Sequence, residues 1–190
     1  CTDVPASVQK QSIRIHRLVI GLLKLTRLES GMLTLQKQPV NLNILLQECV
    51  QSICANYIDK DLNVVLSGDP EVSICCDREW TLEALDNLLK NAGEYSESHG
   101  KIEVTWSASE MAVIVKITDH GAGIAAEELP KIFNRFYRVH PSDASTEGVG
   151  IGLALAKEII EKQGGSLVVE SSTNKPSYTS FEIVLNLTKL

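Results

Sequence analysis

The sequence lacks any apolar run that approaches the length of a membrane span. It also lacks a CxxC pair, and its five cysteines are odd in number, which favours reduced thiols in an intracellular compartment. Basic residues are in the minority, because 18 lysines and arginines stand against 24 aspartates and glutamates, giving a net charge of −6. This balance argues against nucleic acid or an anionic membrane surface as a partner.

The remaining composition is that of a folded protein, with 44% hydrophobic and 22% charged residues among 190. This length suits one ordinary domain with an additional element and is sufficient to bury a sizeable core. The chain begins at Cys1 rather than at a methionine. We therefore expect it to be a piece of a longer protein.

Hydrophobic spacing predicts the helices and strands. A first helix is expected over residues 5–30, packed on another helix or another subunit, and a short strand is expected over 33–40. Further helices are predicted at 41–57, 78–95 and 150–163, and further strands near 62–66, 72–75, 101–107, 111–119, 167–170 and 181–187. The order is not a strict βαβ alternation, and no GxGxxG follows the first strand, which argues against a doubly wound dinucleotide fold. The pattern favours an α+β fold, a two-layer sandwich of a mixed β-sheet with helices on one face, preceded by an N-terminal helix.

A carboxylate and two glycines end the most strongly alternating strand. Asp119 continues the face of Val113, Val115 and Ile117, so its side chain is expected on the core side of the sheet. A buried carboxylate needs a partner, and an amino group on a ligand's heterocycle would supply one. Glycines at 121 and 123 would let the backbone approach that ligand closely. Taken alone, this motif is better interpreted as a strand-end Asp-x-Gly turn, which is common.

Asn87, Asn91 and Tyr95 recur every four residues and therefore share one face of a predicted helix. Amide oxygens suit Mg²⁺, which proteins often hold through few side chains and the phosphates of a nucleotide. The tyrosine could stack on a base. The alternative interpretation makes both asparagines solvated and the tyrosine part of the core.

A second glycine run, at Gly148, Gly150 and Gly152, precedes a predicted helix whose N-terminus would offer free N–H groups to phosphates; the alternative is a flexible hinge. The long connection over 125–147 fits a lid over a ligand. Within it, Phe133, Phe136 and Tyr137 could anchor the lid, and two arginines, Arg135 and Arg138, could reach phosphate. The alternative, that the arginines are solvated, is reasonable for Arg135 and weaker for Arg138.

Taken together and in this order, these segments resemble the sensor histidine kinases of two-component signalling. Asn-Leu-Leu-Lys-Asn-Ala at 87–92 resembles the N box of that family, and residues 119–124 resemble its first glycine box. Residues 132–139 resemble its F box and residues 148–155 its second glycine box. Residues 27–31 resemble the end of the second helix of the dimerisation and phosphotransfer hairpin. The resemblance covers nearly the whole chain, and four ordered boxes are highly specific.

The resemblance implies a Bergerat-type ATP-binding fold at 33–190, preceded at 1–32 by part of the dimerisation and phosphotransfer hairpin. It implies that Asp119 binds the adenine amino group and that Asn91 coordinates Mg²⁺. Tyr95 would lie near the adenine, with Asn87 and Arg138 as catalytic positions near the phosphates. The full set implied to contact ATP is Asn87, Asn91, Tyr95, Asp119, Gly121, Gly123, Ile124, Arg138, Gly148, Gly150, Gly152 and Leu153.

The resemblance also implies a reaction and partners. The γ-phosphoryl group of ATP would pass to a histidine and then to a response regulator receiver domain, and the full-length protein would be a homodimer. The chain would be the cytoplasmic domain of a protein anchored in the bacterial cell membrane. Two alternatives remain, a related superfamily ATPase and a degenerate, non-catalytic module for ATP binding or dimerisation. Asn87 argues against the ATPase, because such enzymes carry a water-activating glutamate at that position.

The sequence departs from the family pattern at two points. The phosphoacceptor motif, a histidine followed by an acidic residue, is missing; His16 is followed by Arg17 and falls in the second-helix pattern. Glu94 stands where the family usually has a lysine close to the phosphates. Its carboxylate would repel them and is expected to weaken ATP binding by ~1–3 kcal/mol.

Overall fold

A computed structural model describes residues 6–31, 33–139 and 149–187 of the chain. The elements in chain order are α1 (Ala6–Glu29), β1 (Gln38–Asn41), α2 (Leu42–Asn56), a 3₁₀ turn (Ile58–Lys60), β2 (Asn63–Ser67), β3 (Ser73–Cys76), α3 (Arg78–Tyr95), β4 (Lys101–Ala108), β5 (Ala112–Asp119), α4 (Gly152–Lys162), β6 (Ser166–Ser172) and β7 (Tyr178–Asn186).

Five strands form the main sheet in the order β2-β4-β5-β7-β6, and β1 pairs with β3 in a separate two-stranded sheet. β2 runs parallel to β4, whereas the other neighbours in the main sheet are antiparallel. Alternate side chains of β4 and β5 are buried beneath the helices, as at Ile102, Val104, Val115 and Ile117. The predicted α+β arrangement, with a mixed sheet and helices on one face, is confirmed.

The starts of α2 and α3 follow local capping, which is why the sequence predicts them well. The Asn41 side chain accepts from the Ile44 amide at 3.0 Å and begins α2, and Asp77 accepts from the Trp80 amide and begins α3. The strand expected over 33–40 begins only at Gln38, because the Gln36 amide donates to the Asp77 carboxylate at 2.8 Å rather than to a neighbouring strand.

The N-terminal helix packs on the globular part of the chain. Leu25 and Leu28 of α1 are 1% and 2% exposed, and α1 contacts α4. The expectation that this helix packs on another helix is confirmed. Other apolar side chains on α1 face outward, among them Ile15 at 63% and Leu23 at 55% exposure. Over the part of the chain that the structure describes, no helix has the length and apolar character of a membrane span.

Candidate functional site

Asp119 is the last residue of β5, and its side chain is buried, as the strand alternation predicts, with 2% exposure. Its Oδ1 accepts from the Gly121 amide at 3.0 Å. Burial raises the pKa of the Asp119 carboxyl from 3.8 to about 6, while the Gly121 amide and the neighbouring His120 oppose that rise. The site therefore contains a poorly solvated carboxylate whose ionised form would gain from a hydrogen-bond donor.

The two glycines after Asp119 allow close backbone packing on both sides of this carboxylate. A Cβ at Gly121 would lie 2.3 Å from the Tyr95 carbonyl oxygen at the end of α3. Gly123 has φ +75°, and a Cβ there would lie 2.1 Å from the Ser172 carbonyl oxygen. The first glycine segment is thus wedged between α3 and the end of β6, where no larger residue would fit.

The polar face of α3 meets the start of α4. Asn87 donates through Nδ2 to the Glu83 carbonyl at 2.8 Å, and a Cβ at Gly152 would lie 2.9 Å from Asn87 Oδ1. Asn91 is half-buried one turn further along α3. Tyr95 is 40% exposed, which makes its interpretation as a core residue wrong.

The C-terminal end of α3 is held by a lysine from the 3₁₀ turn. Lys60 Nζ donates to the carbonyls of Gly93, Glu94 and Ser96 at 2.8–2.9 Å, so it satisfies backbone groups that the helix leaves free. Burial lowers the pKa of Lys60, and the negative charge of Glu94 opposes that shift. Glu94 and Tyr95 are therefore presented by a firmly capped helix end.

The second glycine segment turns sharply before α4. Gly150 has φ +73° and accepts from the Phe136 amide at 2.7 Å, and this left-handed conformation explains why α4 begins at Gly152 rather than at Gly150. Ile151 at the N-cap provides no side-chain hydrogen bond, which leaves the first amides of α4 for other acceptors. Leu153 is half-buried against the core. Gly148 lies outside the described residues.

Two of the three aromatic residues expected to act as anchors in residues 132–139 pack as predicted, and the third does not. Phe133 packs edge-on against Phe181 with ring centroids 6.5 Å apart, and Tyr137 packs against the core, as predicted. Phe136 is 54% exposed, so its predicted anchoring role is wrong. Its backbone adopts φ +64°, which lets its amide reach Gly150 but turns the ring outward.

The two arginines within residues 132–139 have different environments. Arg135 pairs with Glu29 of α1, so the suggestion that it reaches toward phosphate is wrong for this arrangement. Arg138 is half-buried, and within the described ranges its Nη2 is buried without a hydrogen-bond partner. A buried guanidinium nitrogen without a hydrogen-bond partner is suited to binding an anion.

Three residues near the site escape the sequence analysis. Ser171 Oγ accepts from the Ile124 amide at 2.8 Å and lies 3.1 Å from Thr179 Oγ1, which is buried on β7 in register with Asp119. Glu83 lies beside Asn87 and pairs with Lys24 at 2.7 Å. Strand alternation could have placed the side chain of Thr179 inward, but its pairing with Asp119 depends on sheet register.

A further cavity of about 300 Å³ lies between α2 and α3. Four carboxylates contribute to its lining, from Glu48, Glu79, Glu83 and Asp86. Phosphates would be repelled there, so this groove is unsuited to a nucleotide. The residues gathered around Asp119, Asn87 and the start of α4 remain the candidate site.

Comparison with known proteins identifies a family that this chain matches. Residues 76–189 match the family described as histidine kinase-, DNA gyrase B-, and HSP90-like ATPase. The sensor protein kinase PmrB of Pseudomonas aeruginosa is 33% identical over 160 residues, which cover 84% of this chain and 33% of PmrB. The histidine-protein kinase ArlS of Staphylococcus haemolyticus is 32% identical over 172 residues, covering 90% of this chain and 37% of ArlS.

The fold agrees with these sequence matches. The mycobacterial sensor histidine kinase MprB superposes with a TM-score of 0.72 at 26% identity, covering 82% of this chain and all of that solved chain. The chain thus has the Bergerat-type fold of histidine kinase catalytic domains, and it spans about a third of the length of the curated relatives named above.

Proposed function

Because the chain belongs to the family of histidine kinase-, DNA gyrase B- and HSP90-like ATPases, and is the ATP-binding catalytic domain of a sensor histidine kinase, we propose that it transfers the γ-phosphoryl group of ATP to a histidine. That histidine would lie on a hairpin helix that the sequence does not contain. The phosphoryl group would then pass to an aspartate on a response regulator receiver domain.

The observation that carries the proposal is the buried carboxylate of Asp119 beside glycines that no side chain could replace. The adenine amino group would donate a hydrogen bond to the ionised carboxylate of Asp119. Burial raises the pKa of this carboxyl to about 6. The backbone at Gly121 and Gly123 would border the base, with Ile124 and the half-exposed Tyr95 supplying apolar contact. Base recognition would therefore rest on one hydrogen bond and on shape.

The phosphate end would lie between α3 and α4. The uncapped first amides of α4, at Gly152 and Leu153, would donate to phosphate oxygens, and the helix dipole would favour their negative charge. Gly150, with φ +73°, would let the backbone turn at this end of the site, and the expected contact with Gly148 falls outside the described residues. Asn87 and Arg138 would hold the transferred group, the arginine through its buried Nη2.

Mg²⁺ fits the donor set of this site. Asn91 offers a hard amide oxygen, and among the described residues no cluster of three or more histidine, cysteine or acidic side chains could hold a metal ion. An ion here would therefore have few protein ligands and would rely on phosphate oxygens. When bound, Mg²⁺ would neutralise phosphate charge during transfer, while Asn91 would fix its position.

The organisation of the whole protein is part of the proposal. Residues 1–32 would contribute the second helix of the dimerisation and phosphotransfer hairpin, and residues 33–190 would form the catalytic domain. The full-length protein would be a homodimer anchored in the bacterial cell membrane, with this chain on the cytoplasmic side. No nucleic acid partner is proposed, because the chain carries a net charge of −6.

The proposal is tested by combining the chain, Mg²⁺ and labelled ATP with a separate hairpin that carries a phosphoacceptor histidine. Acid-labile label on the hairpin is expected, with none when Asp119→Asn replaces the native chain. His16→Gln should leave the labelling unchanged, because His16 is not the acceptor. ATP binding without transfer to the hairpin would instead favour a non-catalytic module.

A further inference from the structure

A line of polar contacts connects α1 with the phosphate end of the candidate site. Lys24 Nζ of α1 lies 2.7 Å from Glu83 Oε2 of α3, and each side chain retains only about a third of its exposure. Glu83 lies one helical turn before Asn87. The Asn87 Nδ2 group donates to the Glu83 carbonyl at 2.8 Å and lies 3.5 Å from Glu83 Oε1.

This arrangement sets the orientation of the Asn87 amide. Because both acceptors from Glu83 lie on the Nδ2 side, the amide oxygen is turned toward Gly152 at the start of α4. Lys24 holds the Glu83 carboxylate by its other oxygen. Lys24 also supplies a positive charge to a carboxylate that would otherwise stand close to the proposed phosphate position.

Two further contacts fix α1 against the same region. Gly21 packs on Ile151, the N-cap of α4, so closely that a Cβ would lie 3.0 Å from Ile151 Cγ2. Glu29 pairs with Arg135, which leads toward Arg138. A displacement of α1 would therefore disturb both sides of the phosphate end, whereas Asp119 makes none of these contacts.

We propose that Lys24 is a positioning residue for the phosphate end of the ATP site, acting through Glu83 on Asn87, so that the placement of α1 sets the affinity for Mg²⁺-bound phosphates. The inference rests on the proposed function, because it requires ATP in this site. By linkage, bound nucleotide would strengthen the docking of α1 by the same factor.

The test compares two ligands that differ in their phosphates. Mg²⁺-ATP and adenosine are titrated into the native chain and into Lys24→Met, which keeps the length of the side chain and removes its charge. Lys116→Met serves as the matched control, because Lys116 forms an ion pair of similar length, 2.8 Å to Glu182, on the sheet. Circular dichroism and the thermal midpoint establish that each variant is folded.

Lys24→Met is expected to weaken Mg²⁺-ATP binding by about fivefold or more while adenosine binding changes less than about twofold. In a Glu83→Gln background, which has no carboxylate for Lys24 to pair with, Lys24→Met should change Mg²⁺-ATP affinity by less than about twofold, and adding Glu83→Lys to Lys24→Glu should recover affinity that Lys24→Glu loses alone. Unchanged Mg²⁺-ATP affinity, or an equal loss for adenosine, would overturn the role of Lys24. A native chain that binds no ATP would overturn the proposed function as well.

Discussion

Gly123 and Ser172 approach so closely that a Cβ on the glycine would lie 2.1 Å from the serine carbonyl oxygen. The glycine also has φ +75°, a conformation that other residues rarely adopt. This contact joins the loop after Asp119 to the end of β6. The position of the loop that follows Asp119 consequently depends on an atom more than forty residues away in the sequence.

Gly123→Ala is therefore expected to reduce both stability and ATP affinity. The positive φ alone costs about 1–2 kcal/mol for an alanine, and the clash with backbone must add to it. Gly31→Ala isolates the first contribution, because Gly31 has φ +67° and no atom within 4 Å of its hypothetical Cβ. Urea unfolding and ATP titration measure both variants. Equal losses of stability in the two variants would show that the close approach to Ser172 adds no further destabilisation.

The parts of this fold that follow local rules are predictable from sequence. Asp77 predicts the start of α3 because a side-chain cap acts within three residues, and the inward position of Asp119 follows from strand alternation alone. Glycines at positions 150 and 123 predict tight turns from the sequence, although only the structure gives their φ values. The resemblance to the histidine kinases places these local features into one site.

The parts that depend on distant residues are not predictable in this way. Nothing near Arg135 in sequence indicates that Glu29 would pair with it, and nothing near Lys24 indicates Glu83. Thr179 becomes a neighbour of Asp119 only through the register of β5 with β7. Phe136 looks like any buried aromatic in the sequence, yet its positive φ turns the ring outward.

The pKa of Asp119 predicts a pH dependence of ligand binding. Adenosine is the probe, because it lacks phosphates that titrate in the same range. Its amino group would donate to the ionised carboxyl, so affinity is expected to fall as the pH drops below about 6. Titration between pH 5 and 8 measures the effect. Asp119→Asn should bind weakly at every pH, and a native profile that stays flat would contradict the role of Asp119.

The same shift predicts how stability changes with pH. Because burial raises the pKa of Asp119 from 3.8 to about 6, the folded state holds the proton more tightly than the unfolded chain. This contribution to stability is present below pH 3.8 and is lost as the pH rises through about 6. Asp119→Asn should therefore stabilise the ligand-free chain at pH 8 by on the order of 2 kcal/mol. A destabilised variant would show that the carboxylate is satisfied without ligand.

Gln163 lies at the centre of a buried polar cluster that joins α3, α4 and the segment before β1. Its Oε1 accepts from the Asp77 amide at 2.7 Å, and its backbone carbonyl accepts from Lys37 Nζ at 2.6 Å. Gln163→Leu would leave the Asp77 amide unsatisfied and is expected to cost about 1–3 kcal/mol of stability. Lys37→Met removes only the contact to the carbonyl and should cost less. Urea midpoints that rank the two variants in the opposite order would contradict this assignment.

Glu94 gives the sharpest prediction about nucleotide affinity. It lies on the α3 face that carries Asn87 and Asn91, so its carboxylate would oppose phosphates, and the native chain is expected to bind ATP weakly. Glu94→Lys should strengthen Mg²⁺-ATP binding by ~1–3 kcal/mol and leave adenosine binding unchanged. Because the negative charge of Glu94 favours the charged form of Lys60, which caps α3 through three carbonyls at 2.8–2.9 Å, the thermal midpoint of Glu94→Lys is measured together with its affinity.

Glu97→Lys is the matched control, because Glu97 is exposed and lies beyond the end of α3. The same change in net charge at that position should alter ATP affinity far less, and only at low salt. Calorimetric titration of both variants at two salt concentrations separates a local effect from a global one. If the native chain binds ATP tightly, or if the two variants respond alike, Glu94 does not face the phosphates.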